Sequence, residues 1–285
     1  MVKPILFFCA AISVLTTAAI VLVLLSESLM FFAKVPFYRF LTDRYWTPLF
    51  AQKQFGIASL VCGTLLTSGV ALLVATPLGL LIAVYLSEYA TPGVRGWVKP
   101  LLEFLSGIPT VVYGYFALLF LTPILQRFIP GLEPFNALSA GLVMGFMILP
   151  LVASLSEDAL YAVPTGLRYA AYGLGYTRLQ AVWKIVMPAA LSGITAAIIL
   201  ALSRAVGETM IVAVAAGMQP TLTLNPLQAV ETLTAYIVQV TMGDVPHGTL
   251  EYHTIFVVGL TLFTMTLVLN SIALWLRERF RSIYS

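Results

Sequence analysis

Charge is what this chain has least of. Only 9% of its 285 residues are Asp, Glu, Lys or Arg, against roughly a quarter in a soluble domain. So few cannot cover a water-facing surface, which excludes a soluble fold and leaves an integral membrane protein. Cysteine and histidine are scarce as well, at two each. Cys9 and Cys62 lie inside apolar runs without metal-ligand spacing, so neither a thiolate metal centre nor a disulfide is expected. His247 and His253 are six apart in a stretch that reads as a loop, where solvation is the ordinary state and metal ligation the exception. Signatures of chemistry are missing too. There is no GxxxxGKS/T loop to cradle the phosphates of ATP, no HExxH, no CxxC and no GxSxG. Catalysis by this chain alone is not expected, and a net charge of +3 gives no hint of nucleic acid.

Apolar length is what the chain has in plenty. Hydrophobic residues make up 60% of it, with a mean hydropathy of +0.97. Six runs reach the roughly 20 residues that a helix needs to cross hydrocarbon. They cover about residues 5–32, 57–87, 100–126, 136–156, 189–217 and 253–276. The first run continues through Leu29, Phe31 and Phe32, longer than a signal-peptide core, and no cleavage site follows; it reads as an uncleaved span. Residues 1–56 then form a first span with its external loop, and residues 57–285 the main transmembrane domain. No appended soluble domain is expected, and no internal repeat is visible. With the N-terminus in the cytoplasm, that side holds Lys3, Arg95, Lys99, Arg168, Arg178, Lys184, Arg277, Arg279 and Arg281. The opposite side holds Lys34, Arg39, Arg44, Lys53 and Arg127, so the positive-inside rule places both termini in the cytoplasm.

Two external loops stand out. Residues 33–56 carry Tyr38, Tyr45 and Trp46, residues that commonly anchor at the membrane interface. Residues 218–252 form the longest external segment, with no Lys or Arg but with Glu231, Asp244, His247 and Glu251. Several spans hold helix breakers, among them Pro77 with Gly79, Gly107 with Pro109, and Gly145 with Pro150; kinked, packed helices suit a protein that moves.

One charged pair lies inside a span. Arg204 and Glu208, in SRAVGETM, are four apart and on a continuous helix would share a face. Arg204 is some 22 Å into its run at 1.5 Å per residue, and an arginine at that depth faces a bundle interior or water, not lipid. Two readings stay open. The pair is an internal salt bridge that pins packing, or Arg204 is a cation on an anion pathway whose grip Glu208 moderates.

The other polar feature is residues 168–188, RYAAYGLGYTRLQAVWKIVMP. Thr177 is placed to cap a helix whose apolar residues, Leu179, Val182, Trp183 and Val186, follow helical spacing. Before it, small residues at Ala170, Ala171, Gly173 and Gly175 would let another backbone approach. The stretch predicts two short cytoplasmic helices joined at a glycine turn, the second leading through Pro188 into a span. An interfacial hairpin of this composition would look similar.

Spacing carries the reading further. Tyr169-Ala170-Ala171, three residues, Gly175, nine residues and Ile185-Val186-Met187-Pro188 resemble the EAA loop of ABC-transporter permeases, E-A-A-x3-G-x9-I-x-L-P. Tyr169 replaces the glutamate and Met187 the leucine, so no charge contact is carried over to position 169. FGIASLVCGTLLTS (55–68), PLGLLIAVYLSEYA (77–90), SGIPTVVYG (106–114), SRAVGETM (203–210) and ETLTAYI (231–237) resemble the phosphate-specific branch, the PstC/PstA type. Trp46-Thr47-Pro48 ahead of Phe55-Gly56-Ile57 is more similar to its PstC members.

The resemblance implies an all-α membrane protein, a type I, MetI-like importer permease of six transmembrane helices with a cytoplasmic EAA coupling loop at about residues 160–188. It further implies a second, PstA-like permease subunit, two copies of a cytoplasmic PstB-like ATPase that bind ATP and Mg, and an external PstS-like phosphate-binding protein. This chain would hold no cofactor and no metal, and would sit in the inner, or plasma, membrane. Arg168, Tyr169, Ala170, Ala171, Gly175, Arg178 and Pro188 would belong to the ATPase coupling loop, and Arg204 and Glu208 to the phosphate pathway. The competing expectations are a permease for another oxyanion (phosphonate, sulfate or molybdate), or an ion-coupled secondary transporter.

Overall fold

A computed structural model describes the backbone of residues 2–281 and the side chains of residues 3–276. The side chains of Arg277, Arg279 and Arg281, counted above for orientation, lie outside that range. Twelve helices make up the described residues, and no sheet forms; the two isolated bridges are Trp46 with Phe55 and Gly217 with Val230. We label them α1 (Val2–Phe32), α2 (Phe37–Thr42), α3 (Ala58–Tyr89), α4 (Pro92–Ser106), α5 (Thr110–Phe128) and α6 (Ala137–Tyr161). Then follow α7 (Thr165–Gly173), α8 (Arg178–Ala189), α9 (Leu191–Val206), α10 (Met210–Ala215), α11 (Leu233–Met242) and α12 (Leu250–Arg281).

Five of these, α1, α3, α5, α6 and α12, are long and apolar enough to cross a membrane; α8 and α9, bent by 72° at Ala190, pass the same test only as a pair, which would make six. The bend has a local cause. Pro188 has no N–H to give, and the turn before it, Val182–Val186, opens to π spacing. Pro123 in α5 likewise follows a π turn, Ala117–Leu121, where the Ala117 carbonyl accepts both the N–H of Thr122 and, at 2.9 Å, its hydroxyl.

The core is built on α3 and α6. A methyl group on Gly145 would lie 2.9 Å from the Ala71 carbonyl, and one on Gly141 2.7 Å from Val70, so the two backbones approach where only hydrogen fits. Small residues four apart are the usual device for close helix approach in lipid. Ala71, Ala75, Met144, Met147, Ile148, Val152 and Ala153 fill the seam. Helix α1 stands outside this core and packs along α12, with Glu27 Oε2 2.8 Å from His253 Nδ1.

Three expectations need correction. The apolar run 100–126 is not one span: α4 ends at Ser106, and Gly107-Ile108-Pro109 breaks the chain before α5. Residues 218–252 are a surface segment only in part: 241–249 stay largely exposed, but 229–236 are buried. Val230, Glu231, Thr232, Leu233 and Thr234 are buried, the Leu233 N–H donates to Thr64 Oγ1 at 3.0 Å, and α11 packs into the bundle. His253 accordingly lies in the first turns of α12, buried against Glu27. Finally, Trp46 is no interfacial anchor. It is 1% exposed and meets Phe40, Phe55 and Tyr236 edge-on, with ring centroids 5.4–6.3 Å apart. Tyr38 and Tyr45 stay exposed.

Candidate functional site

The run 189–217 also breaks. Helix α9 ends at Val206, the Glu208 N–H turns back to the Ala205 carbonyl at 3.2 Å, and α10 restarts at Met210. Four residues of spacing therefore do not bring Glu208 beside Arg204. Glu208 is buried and accepts the N–H groups of Met210 (3.1 Å) and Ile211 (3.3 Å) on Oε1. A carboxylate there satisfies two orphan donors and meets the positive end of the helix. Its own carbonyl accepts from Thr234 Oγ1 at 2.6 Å, tying the break to the segment that leads into α11.

Arg204 is exposed instead. Its Nε donates to the Met147 sulfur at 3.4 Å, a weak acceptor, and among the described residues it has no ion pair. It lines a cleft of about 300 Å³ with Leu102, Glu103 and Ser106 of α4 and with Met147, Pro150, Leu151 and Ser154 of α6. Glu103 is the acid of this cleft; its carboxylate is exposed and has no partner among the described residues. Sequence reading passed over Glu103 because it lies a hundred residues away on a helix then taken for part of a continuous span. Its proximity depends on how α4 folds back on α6. Arg95 and Lys99 of α4 make that contact: Arg95 Nη2 lies 2.5 Å and Lys99 Nζ 2.6 Å from the fully buried carboxylate of Glu157 in α6. Lys99 also reaches Asp158 at 2.9 Å, and its ammonium is held above the usual lysine range chiefly by the bond to Glu157.

The polar stretch 168–188 is the two-helix unit its sequence predicts. Helix α7 closes in a Schellman turn: the Gly175 N–H donates to the Tyr172 carbonyl (3.0 Å) and the Tyr176 N–H to that of Ala171 (3.1 Å), with Gly175 at φ +83°. Side chains pay a steric penalty in that conformation, which glycine avoids. Nothing lies within 4 Å of where a Gly175 methyl would project, so the position is open. Thr177 and Gln180 then form a reciprocal capping box, Thr177 N–H to Gln180 Oε1 at 3.0 Å and Gln180 N–H to Thr177 Oγ1 at 3.4 Å, that starts α8.

The residues of this unit divide by direction. Tyr169, Ala170, Tyr172 and Leu174 are exposed, Tyr169 at 71%, and Ala171 is buried. Arg168 turns inward to Glu88, and Arg178 stands over the Tyr89 ring, 4.8 Å from its centroid. Pro188 sits in the last turn of α8, just before the bend.

Comparison with known proteins gives one consistent result. The model of the binding-protein-dependent transport system inner membrane component matches residues 75–282. A probable ABC transporter permease protein, YqgH, of Bacillus subtilis is 32% identical over 95% of this chain and 88% of its own. The phosphate transport system permease protein PstC of Haemophilus influenzae is 33% identical, over 81% of this chain and 79% of its own. Among solved structures, an inward-facing MetNI methionine ABC transporter superposes with a TM-score of 0.57 at 19% identity, covering 79% of this chain and 94% of the other. A bacterial ABC transporter that imports alginate gives 0.57 at 16% identity, covering 96% and 99%. At such identities these structures speak for the fold alone.

Proposed function

Because the chain belongs to the family of binding-protein-dependent transport system inner membrane components, we propose that it is the permease subunit of an ATP-driven importer of inorganic phosphate. The observation that carries this reading is Arg204, a guanidinium within the transmembrane bundle, open to a cleft and without an anionic partner among the described residues. Leaving a cation so deep in a span is expensive unless it meets water or an anion. A guanidinium presents a planar fork that fits the oxygens of phosphate. Similarity to phosphate permeases called PstC supplies the choice of anion.

In this reading the cleft is half of a pathway, its open flank completed by a second, PstA-like permease subunit. An external PstS-like protein delivers phosphate. The exposed surface of Tyr169, Tyr172, Leu174 and Gly175 seats on one of two PstB-like ATPases, which hold ATP and Mg; this chain contributes neither site. Both termini face the cytoplasm. Glu208 serves the pathway indirectly, by fixing the helix break next to Arg204, while Glu103 is the acid that an anion in the cleft would meet.

The test is phosphate uptake by vesicles containing the whole complex. Wild type should take up phosphate only with ATP and the loaded binding protein. Arg204→Gln should abolish uptake while all subunits still co-purify. Uptake by that variant at the wild-type rate would remove Arg204 from the pathway.

A further inference from the structure

Arg168 belongs by sequence to the ATPase-facing loop, yet its guanidinium points the other way. Nε and Nη2 both donate to Glu88 Oε1, at 3.1 and 2.9 Å. Nη2 also donates to the Leu160 carbonyl at 2.8 Å, and Nη1 to that of Val163. One side chain of α7 thus holds the cytoplasmic end of α3, the last turn of α6 and the link that follows it. The site is largely enclosed: the side chains are 15% exposed for Arg168 and 4% for Glu88. Glu88 lies in the π turn Tyr85–Tyr89 that closes α3, and the same turn supplies Tyr89, over which Arg178 of α8 stands. Such turns within α-helices recur at functional sites.

We propose that Arg168 and Glu88 form the clamp through which motion of the coupling loop enters the pathway helices; Glu88 is a positioning residue for transport. This rests on the ATPase-coupling reading above. Three features support it. A buried charge pair resists separation, because pulling it apart strands both charges away from water. The elements it grips, α3 and α6, share a seam close enough to require glycine at 141 and 145, so they respond as one block. That block also lines the cleft: Met147, Pro150, Leu151 and Ser154 of α6 stand beside Arg204. Displacement of α7 therefore reaches the cleft wall without passing through the bend at Ala190. The clamp also accounts for the tyrosine at position 169, since the charged contact of this loop is made inward by its neighbour.

The test measures ATP hydrolysis and phosphate uptake on the same reconstituted complexes. Glu88→Gln should assemble and keep basal hydrolysis, while uptake and the stimulation of hydrolysis by loaded binding protein fall about tenfold, the scale on which residues between coupled sites act. Exchanging the charges, Glu88→Arg with Arg168→Glu, should recover part of that loss. Wild-type uptake per assembled complex in Glu88→Gln would overturn the clamp. Loss of uptake in strict proportion to lost assembly would overturn it as well, assigning the pair a structural role only. A second measurement leaves the pair intact. Spin labels on the exposed positions Leu167 and Leu81, with Cys9 and Cys62 replaced, should keep a constant separation across nucleotide states. A separation that changes with nucleotide would sink the idea. If the wild-type complex moves no phosphate, the functional reading fails instead, and the labels and the stimulated hydrolysis still report on the clamp.

Discussion

Glu103 shares the cleft of Arg204 without bonding to it, so its negative charge acts through space. An anion resting on Arg204 would feel that charge as a push toward release, on the order of 1 kcal/mol at the effective dielectric of a partly solvated site. Glu103→Gln should therefore slow maximal uptake several-fold, because the anion leaves more reluctantly; an unchanged maximal rate would deny Glu103 this part. Glu231 offers a second test at this scale. It lies between α10 and α11, 2% exposed, with Oε1 lacking a hydrogen-bond partner. Burial pushes its carboxyl from 4.5 up to about 8. The folded protein then keeps a proton that the unfolded chain has already lost above pH 4.5, so stability drains away as pH rises from there to about 8. Glu231→Gln should flatten that decline in thermal melts of the purified protein between pH 6 and about pH 8; an unaltered decline would show that the proton is held elsewhere. Arg204 was legible in the sequence because a lone cation in an apolar run is conspicuous. The environments of Glu103 and Glu231 were not, since each depends on a chain reversal that periodicity does not encode.

At the scale of elements, proline and glycine decided most of the departures. Gly107-Ile108-Pro109 and Gly207-Glu208-Thr209 interrupt runs whose hydropathy alone reads as continuous, and Pro188 with its π turn produces the bend between α8 and α9. The breakers were visible from the start, but whether neighbouring helices absorb them as kinks or leave them as breaks is settled by packing. By contrast, the two short helices and the turn of the α7–α8 unit were legible, because that turn and its cap are local devices: Gly175, and Thr177 with Gln180. Gly175→Ala should weaken the turn by about 1 kcal/mol through its left-handed backbone. Circular dichroism should show the overall helix content unchanged. The seam between α3 and α6 gives a sharper prediction. Gly145→Leu would drive a side chain into the Ala71 carbonyl and lower stability by about 1–3 kcal/mol, read as a reduced melting temperature. The same substitution at Gly166, where nothing lies within 4 Å, should do far less.

Across the whole molecule, the cleft that holds Arg204 is open on one side, and much of the remaining surface is apolar. Five long crossings were legible from hydropathy, while the run 189–217 divides between α9 and α10. Which face of the bundle stays open was not, because it depends on how the crossings pack. An uptake assay in vesicles with competing phosphonate, sulfate and molybdate belongs at this scale. Phosphate should win at equal concentration, and preference for another oxyanion would reassign the cargo within the same architecture. Helix α1 raises a different matter, that of timing. Its packing partner is α12, more than two hundred residues further on, and Glu27 meets His253 only there. During synthesis α1 is inserted more than two hundred residues before that partner emerges. It must wait in the bilayer as a solitary helix, its carboxylate unmatched near one end, and its nearly unbroken apolar surface is what makes the wait tolerable. The earlier helix thus finds its place only when the later one arrives.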